Sequence, residues 1–117
     1  MGPLTRGATR LLDLALPPVC SGCGREGDAI CRRCLPGIRS RVELPAGTPM
    51  GLAEGPPHPL LQLEWCSPFT ATTRRALHQL KYAGERRLVA PLGDAIAARW
   101  RAAGAGGEVL VLSLIHI

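Results

Sequence analysis

Four of the chain's five cysteines fall in two close pairs, Cys20-Ser21-Gly22-Cys23 and Cys31-Arg32-Arg33-Cys34, spaced C-x2-C-x7-C-x2-C. Two residues between thiols let a tight turn aim both sulfurs at one ion while the turn's amides donate hydrogen bonds to them. Gly24, directly after the second cysteine, supplies the backbone freedom such a turn needs. The stretch from Gly24 to Ile30 is long enough to reverse the chain and bring the second pair to the first. The pattern predicts one zinc ribbon in which Cys20, Cys23, Cys31 and Cys34 hold a single Zn2+. With every coordination position filled by protein, the site is expected to be structural and not catalytic. Metal binding then supplies most of the folding free energy of so small a unit. Two disulfides, an iron–sulfur cluster or a thiol redox pair are the competing readings; no thioredoxin-like strand–helix context surrounds either pair. Four thiolates around a divalent ion leave a local charge near −2, which Arg25, Arg32 and Arg33 are placed to offset.

The remainder of the chain offers little bulk with which to fold unaided. Its 117 residues have room for one domain, or for a metal-stapled module and part of another. Only four aromatic rings are present, Trp65, Phe69, Tyr82 and Trp100, so the core is expected to be thin. The formal charge is +5, and thirteen of the fourteen cations are arginine, a balance that permits a surface for something anionic. The apolar run near the start is interrupted by Asp13 and lacks a small-residue cleavage site, so it does not read as an export signal. No stretch reaches the roughly 18 apolar residues that a membrane span requires. A cytoplasmic protein is expected, in which thiols stay reduced.

The pattern divides the chain into three regions. Residues 1–44 read as a leader helix and the cysteine module, the leader's leucines at 4, 11, 12, 14 and 16 packing on that module. Residues 45–59 hold five prolines and three glycines and read as a linker. Residues 60–117 begin with a short strand or extended segment, Leu60 to Phe69. A helix capped by Thr70 comes next, with Thr73, Leu77 and Leu80 on one side and an end near Gly84. A second helix starts near Pro91 and repeats Leu92, Ile96, Trp100 and Ala103, with Arg99 and Arg101 in its last turn and Gly104 beyond it. The nearly unbroken apolar run from Val109 to Ile117 reads as a strand covered on both faces. With nothing after it to cover it, the chain is expected to be the front part of a longer protein. The whole is therefore expected to be an α+β fragment. Cys66 is read as a small buried hydrophobe, and His58, His78 and His116, dispersed along the chain, as non-functional.

Leu11-Leu12-Asp13-Leu14, then Pro17-Pro18-Val19-Cys20-Ser21-Gly22-Cys23-Gly24 and Ile30-Cys31-Arg32-Arg33-Cys34, resemble the N-terminal zinc ribbon of the ComF family. Leu77-His78-Gln79-Leu80-Lys81-Tyr82-Ala83-Gly84 is similar to that family's "LKY-G" segment. The two motifs occur in the family's order, over roughly residues 10 to 112. The resemblance implies that residues 70–103 are the helices before the first strand of a type I phosphoribosyltransferase-like α/β domain, with Val109 to Leu112 as that strand. It further implies a link to competence and DNA uptake, with partners in the competence machinery. Lys81 and Tyr82 match the family's motif, a packing role being favoured over ligand contact. The paired carboxylates and Thr-Gly loop that bind phosphoribosyl diphosphate are not in these residues, so no catalytic or cofactor-binding residue is assigned and the fragment is expected to be inactive alone. The segment from Ser113 to Ile117 departs from the family's proline-containing continuation. A free-standing zinc-ribbon adaptor is the other reading, binding a protein or nucleic acid through Arg32, Arg33, Arg39 and Arg41. No aromatic residue lies between positions 19 and 41 to stack on bases, so contact with DNA or RNA is expected to be weak.

Overall fold

The computed structural model describes residues 3–47, 59–69, 71–104, 106–109 and 111. They form four helices: α1 Pro3–Ala15, α2 Leu35–Ile38, α3 Ala71–Tyr82 and α4 Val89–Ala103, the last entered through a 3-10 turn at Arg86–Leu88. The helix boundaries reflect local chemistry. α3 is released at Gly84, whose φ of 69° is left-handed and suits a residue without a side chain. Pro91 sits in the first turn of α4, where a missing N–H costs nothing. Gly104 ends that helix in the left-handed region, its N–H donating to the carbonyls of Trp100 and Arg101. Glu85 caps the 3-10 turn by accepting from the Arg87 amide, and its carboxylate pairs with the Arg87 side chain at 2.7 Å.

The core is built from small side chains, as the scarcity of aromatic residues requires. Ala29 from the cysteine loop, Ala76 from α3 and Leu88 from the 3-10 turn are buried together, flanked by Ile30, Leu80 and Leu92. Ile38 and Val42 are also fully buried. Residues on both sides of the 45–59 segment thus share one core. Residues 48–58 of that expected linker, His58 among them, and the expected cap Thr70 lie outside the described residues. The inner face of α3 presents Thr73, Ala76 and Leu80, with Leu77 half-buried beside them. On α4 the buried positions are Ala95, Arg99 and Ala103. Ile96 and Trp100, which the periodicity places inward, are exposed instead.

Three expectations are corrected. The α+β architecture does not appear: the described residues are helical and contain no strand, only one antiparallel bridge between Val19 and Glu26. They therefore do not display a phosphoribosyltransferase-like α/β domain. Residues 60–69 are irregular, with bends and no strand, and are tethered by hydrogen bonds to their neighbours in place of a ladder. Glu64 binds Arg99 and the Gly47 amide, Gln62 donates to Glu64, and the Cys66 carbonyl accepts from the Arg41 amide at 2.8 Å. Of the expected terminal strand, Val109 and Val111 are exposed and unpaired into any strand, while Leu110 and residues 112–117, including His116, lie outside the described residues. The leader does form a helix. Its Leu11, Leu12, Leu14 and Leu16 stay between 60% and 82% exposed, so they do not pack on the module as expected. Among the described residues no helix is long and apolar enough to cross a membrane.

Candidate metal centre

The two cysteine pairs converge. The sulfurs of Cys20, Cys23, Cys31 and Cys34 all lie within 4.8 Å of one another, and the Cys23–Cys31 separation is 3.7 Å. Thiolates bound tetrahedrally at the usual 2.3 Å are separated by about 3.8 Å. A disulfide needs about 2.05 Å between sulfurs, and all four cysteines are free thiols. The cluster therefore has the dimensions of a four-sulfur site that can hold one metal ion.

Local backbone geometry makes each pair a knuckle. The first is the tip of a small hairpin: the Cys20 amide donates to the Arg25 carbonyl at 2.8 Å, the Gly24 amide to the Cys20 carbonyl at 3.0 Å, and the Gly27 amide to the Pro18 carbonyl at 2.9 Å. Gly24 takes φ 77°, the left-handed conformation expected of it. In the second, the amides of Cys34 and Leu35 both donate to the Cys31 carbonyl, and the chain runs on into α2. Cys20 and Cys31 are buried, Cys34 is half-buried and Cys23 faces solvent.

The sulfurs sit in unequal fields. Burial acts to raise the Cys20 thiol, but amides of Cys23, Cys31 and Gly22 aimed at its sulfur outweigh it, and the thiol falls from 9.0 to about 6. Two of those contacts, from Gly22 and Cys31, measure 3.3 Å. Cys34 moves the other way, to about 12, through burial and through hydrogen bonding with Cys31, Cys20 and Cys23. Arg25, Arg32 and Arg33 are exposed. The positive group on the knuckle is one the spacing did not indicate, Arg75 of α3. Its Nε donates to the Ser21 carbonyl at 2.7 Å and an Nη donates to the Gly22 carbonyl at 2.9 Å. Beside it the Ser21 hydroxyl donates to Gln79 Oε1 at 2.8 Å.

Gly22 is fixed by space. A Cβ there would lie 2.5 Å from Cys34 Sγ, 2.7 Å from Cys34 Cβ and 3.1 Å from Thr72 Oγ1. The first knuckle thus closes on the second, and both close on α3, only if this residue has no side chain. Thr73 extends the seam by donating to the Gly37 carbonyl of α2 at 3.4 Å and by sharing a 2.8 Å hydrogen bond with Ser67.

A second polar constellation holds the other end of the molecule. Arg99 is 3% exposed and gives its guanidinium N–H groups to the carbonyls of Arg41, Val42, Leu44 and Pro45 and to the carboxylate of Glu64. Hydrogen bonds from Gln62, Arg99 and the Gly47 amide hold the Glu64 carboxyl down at about 2. Arg41 lies over the Trp65 ring, 4.5 Å from its centroid. Neighbouring Leu60, Leu63, Ile96 and Trp100 line an apolar groove of about 780 Å3. Cys66 is half-buried beside this groove and outside the four-sulfur cluster; burial raises its thiol. His78 is exposed on α3 with its ring edge-on to Tyr82, the centroids 5.4 Å apart, and Lys81 stands over the same ring. Lys81 and Tyr82 are therefore on the exposed end of α3, away from the core.

Comparison with protein-family models, with curated proteins and with solved structures returned no match.

Proposed function

We propose that Cys20, Cys23, Cys31 and Cys34 bind one structural zinc ion, and that this centre staples the N-terminal part of a ComF-like, phosphoribosyltransferase-family protein associated with competence and DNA uptake. The observation that carries the zinc assignment is the convergence of four sulfurs to within 4.8 Å of one another, with main-chain amides turned onto Cys20. An all-thiolate donor set favours zinc over magnesium or calcium, which take oxygen ligands. The wider family reading is supported by the order of the cysteine motif and the Leu77-His78-Gln79-Leu80-Lys81-Tyr82-Ala83-Gly84 motif. The partners proposed with it are proteins of the competence machinery, in the cytoplasm, with DNA or RNA contact weak. No residue is assigned a catalytic role.

Native mass spectrometry of the purified chain, before and after a strong chelator and beside circular dichroism, tests the zinc assignment. One zinc ion per chain is expected, and its removal should abolish most helical signal. A metal-free chain that keeps its helicity, or one whose four cysteines are joined in disulfides, would overturn it. The family reading has its own test in the reading frame beyond codon 112. An acidic pair followed by a Thr-Gly-rich loop is expected there, and its absence would sink that reading while leaving the zinc assignment intact.

A further inference from the structure

The two carbonyls gripped by Arg75 are not arbitrary. The Ser21 carbonyl belongs to the same peptide plane as the Gly22 N–H, and the Gly22 carbonyl to the same plane as the Cys23 N–H. The first of these amides, that of Gly22, donates to Cys20 Sγ at 3.3 Å. A peptide unit is rigid, so a guanidinium fixed on its oxygen also fixes the direction of its N–H. Withdrawing electron density at the oxygen makes that N–H a stronger donor, since linked hydrogen bonds polarise one another. Arg75 directly precedes Ala76, the α3 residue that enters the core, so its backbone is anchored independently of the knuckle.

From this we infer that Arg75 is a positioning residue of the metal centre, setting through the Ser21–Gly22 peptide plane the hydrogen bond that the Cys20 sulfur receives from the Gly22 amide, and coupling metal binding to the docking of α3. This role rests on the zinc reading. Outer partners of metal ligands of this type change affinity by about 10- to 100-fold when removed. Coupling between two events is reciprocal, so whatever factor Arg75 adds to metal affinity the metal adds to the hold of the knuckle on α3. Gln79, hydrogen-bonded to the Ser21 side chain and to neither of these peptides' carbonyls, serves the docking alone.

The test compares the full chain with Arg75→Ala, Arg75→Lys and, as a control cation on the exposed side of the same helix, Arg74→Ala. Zn2+ affinity is measured by competition with a chromogenic chelator, and Co2+ alone is bound to read the thiolate-to-metal charge-transfer absorption. Expected are a loss of about tenfold or more in Zn2+ affinity for Arg75→Ala, a smaller loss for Arg75→Lys, and no change for Arg74→Ala. The charge-transfer bands of Arg75→Ala should shift, because a cysteine sulfur relieved of N–H donors gives more charge to the metal; a purely structural role for Arg75 would not move them. Should Arg75→Ala prove insoluble, Arg75→Lys decides. A loss of about threefold or more with shifted bands supports the inference, and parent-like affinity and spectrum overturn it. Equal affinity and identical bands for Arg75→Ala and the parent overturn it as well. A parent chain that takes up neither metal would instead defeat the zinc reading itself.

Discussion

At the scale of single residues the centre depends on one side chain that must not be there. Gly22 lets Cys34 approach its α-carbon, and a methyl group at that place would collide with the sulfur, with the Cys34 β-carbon and Thr72 closing the space behind it. None of these neighbours is the loose end of a long side chain, so the clash cannot be relieved by a rotamer change. Gly22→Ala is therefore expected to spread the two knuckles and weaken Zn2+ binding by about tenfold or more, measured by chelator competition. Alanine at Gly24 tests the other role a glycine has here. Its φ is left-handed but the space around it is open, so strain of about 1 kcal/mol is expected without a steric block. The reverse order of severity would show that turn conformation, and not the approach of Cys34, is what fixes the first knuckle.

At the scale of elements, the sequence was informative wherever chemistry was local. The convergence of the four cysteines, the ends of α3 at Gly84 and of α4 at Gly104, and the entry of α4 around Pro91 could all be read from residue type and spacing. What α4 buries could not. Its apolar period runs through Ile96 and Trp100, yet the helix turns Ala95 and Arg99 inward, because a loop carrying a row of bare carbonyls has to be satisfied and an arginine can reach it. Arg75 was hidden for the same reason: a cation 53 residues from its acceptor leaves no mark in a local pattern. The segment 60–69 is held to α4 by Glu64, and this gives a pH dependence with a defined sign. Its carboxyl is lowered from 4.5 to about 2 in the folded chain, so the stabilisation is complete above about pH 4.5 and is lost as pH falls towards 2. Thermal melts of the parent and Glu64→Gln should differ most above pH 4.5 and converge as pH approaches 2. A constant difference across that window would mean that the ionised carboxylate is not what Arg99 recognises.

Taken whole, the described residues are two chain segments that share one small core. Ala29 comes from before residues 48–58, and Ala76 and Leu88 from after them. The polar seams obey the same division, with Arg75 and Arg99 reaching from the later segment to carbonyls of the earlier one. A protease site built into residues 48–58 should accordingly yield two pieces that co-migrate on gel filtration while metal is bound and separate after chelation. Pieces that part with zinc present would show that the linker, and not the shared core, holds them together. The two arginines also differ from the groups they grip in what mutation can do to them. Arg41, Val42, Leu44 and Pro45 contribute main-chain oxygen to Arg99, and every amino acid supplies that atom. The hold is thus indifferent to the side chains of one party and exacting about the other: a saturation scan would find tolerance at exposed Pro45, constraint at Val42 from its own burial alone, and almost no replacement admitted at Arg99.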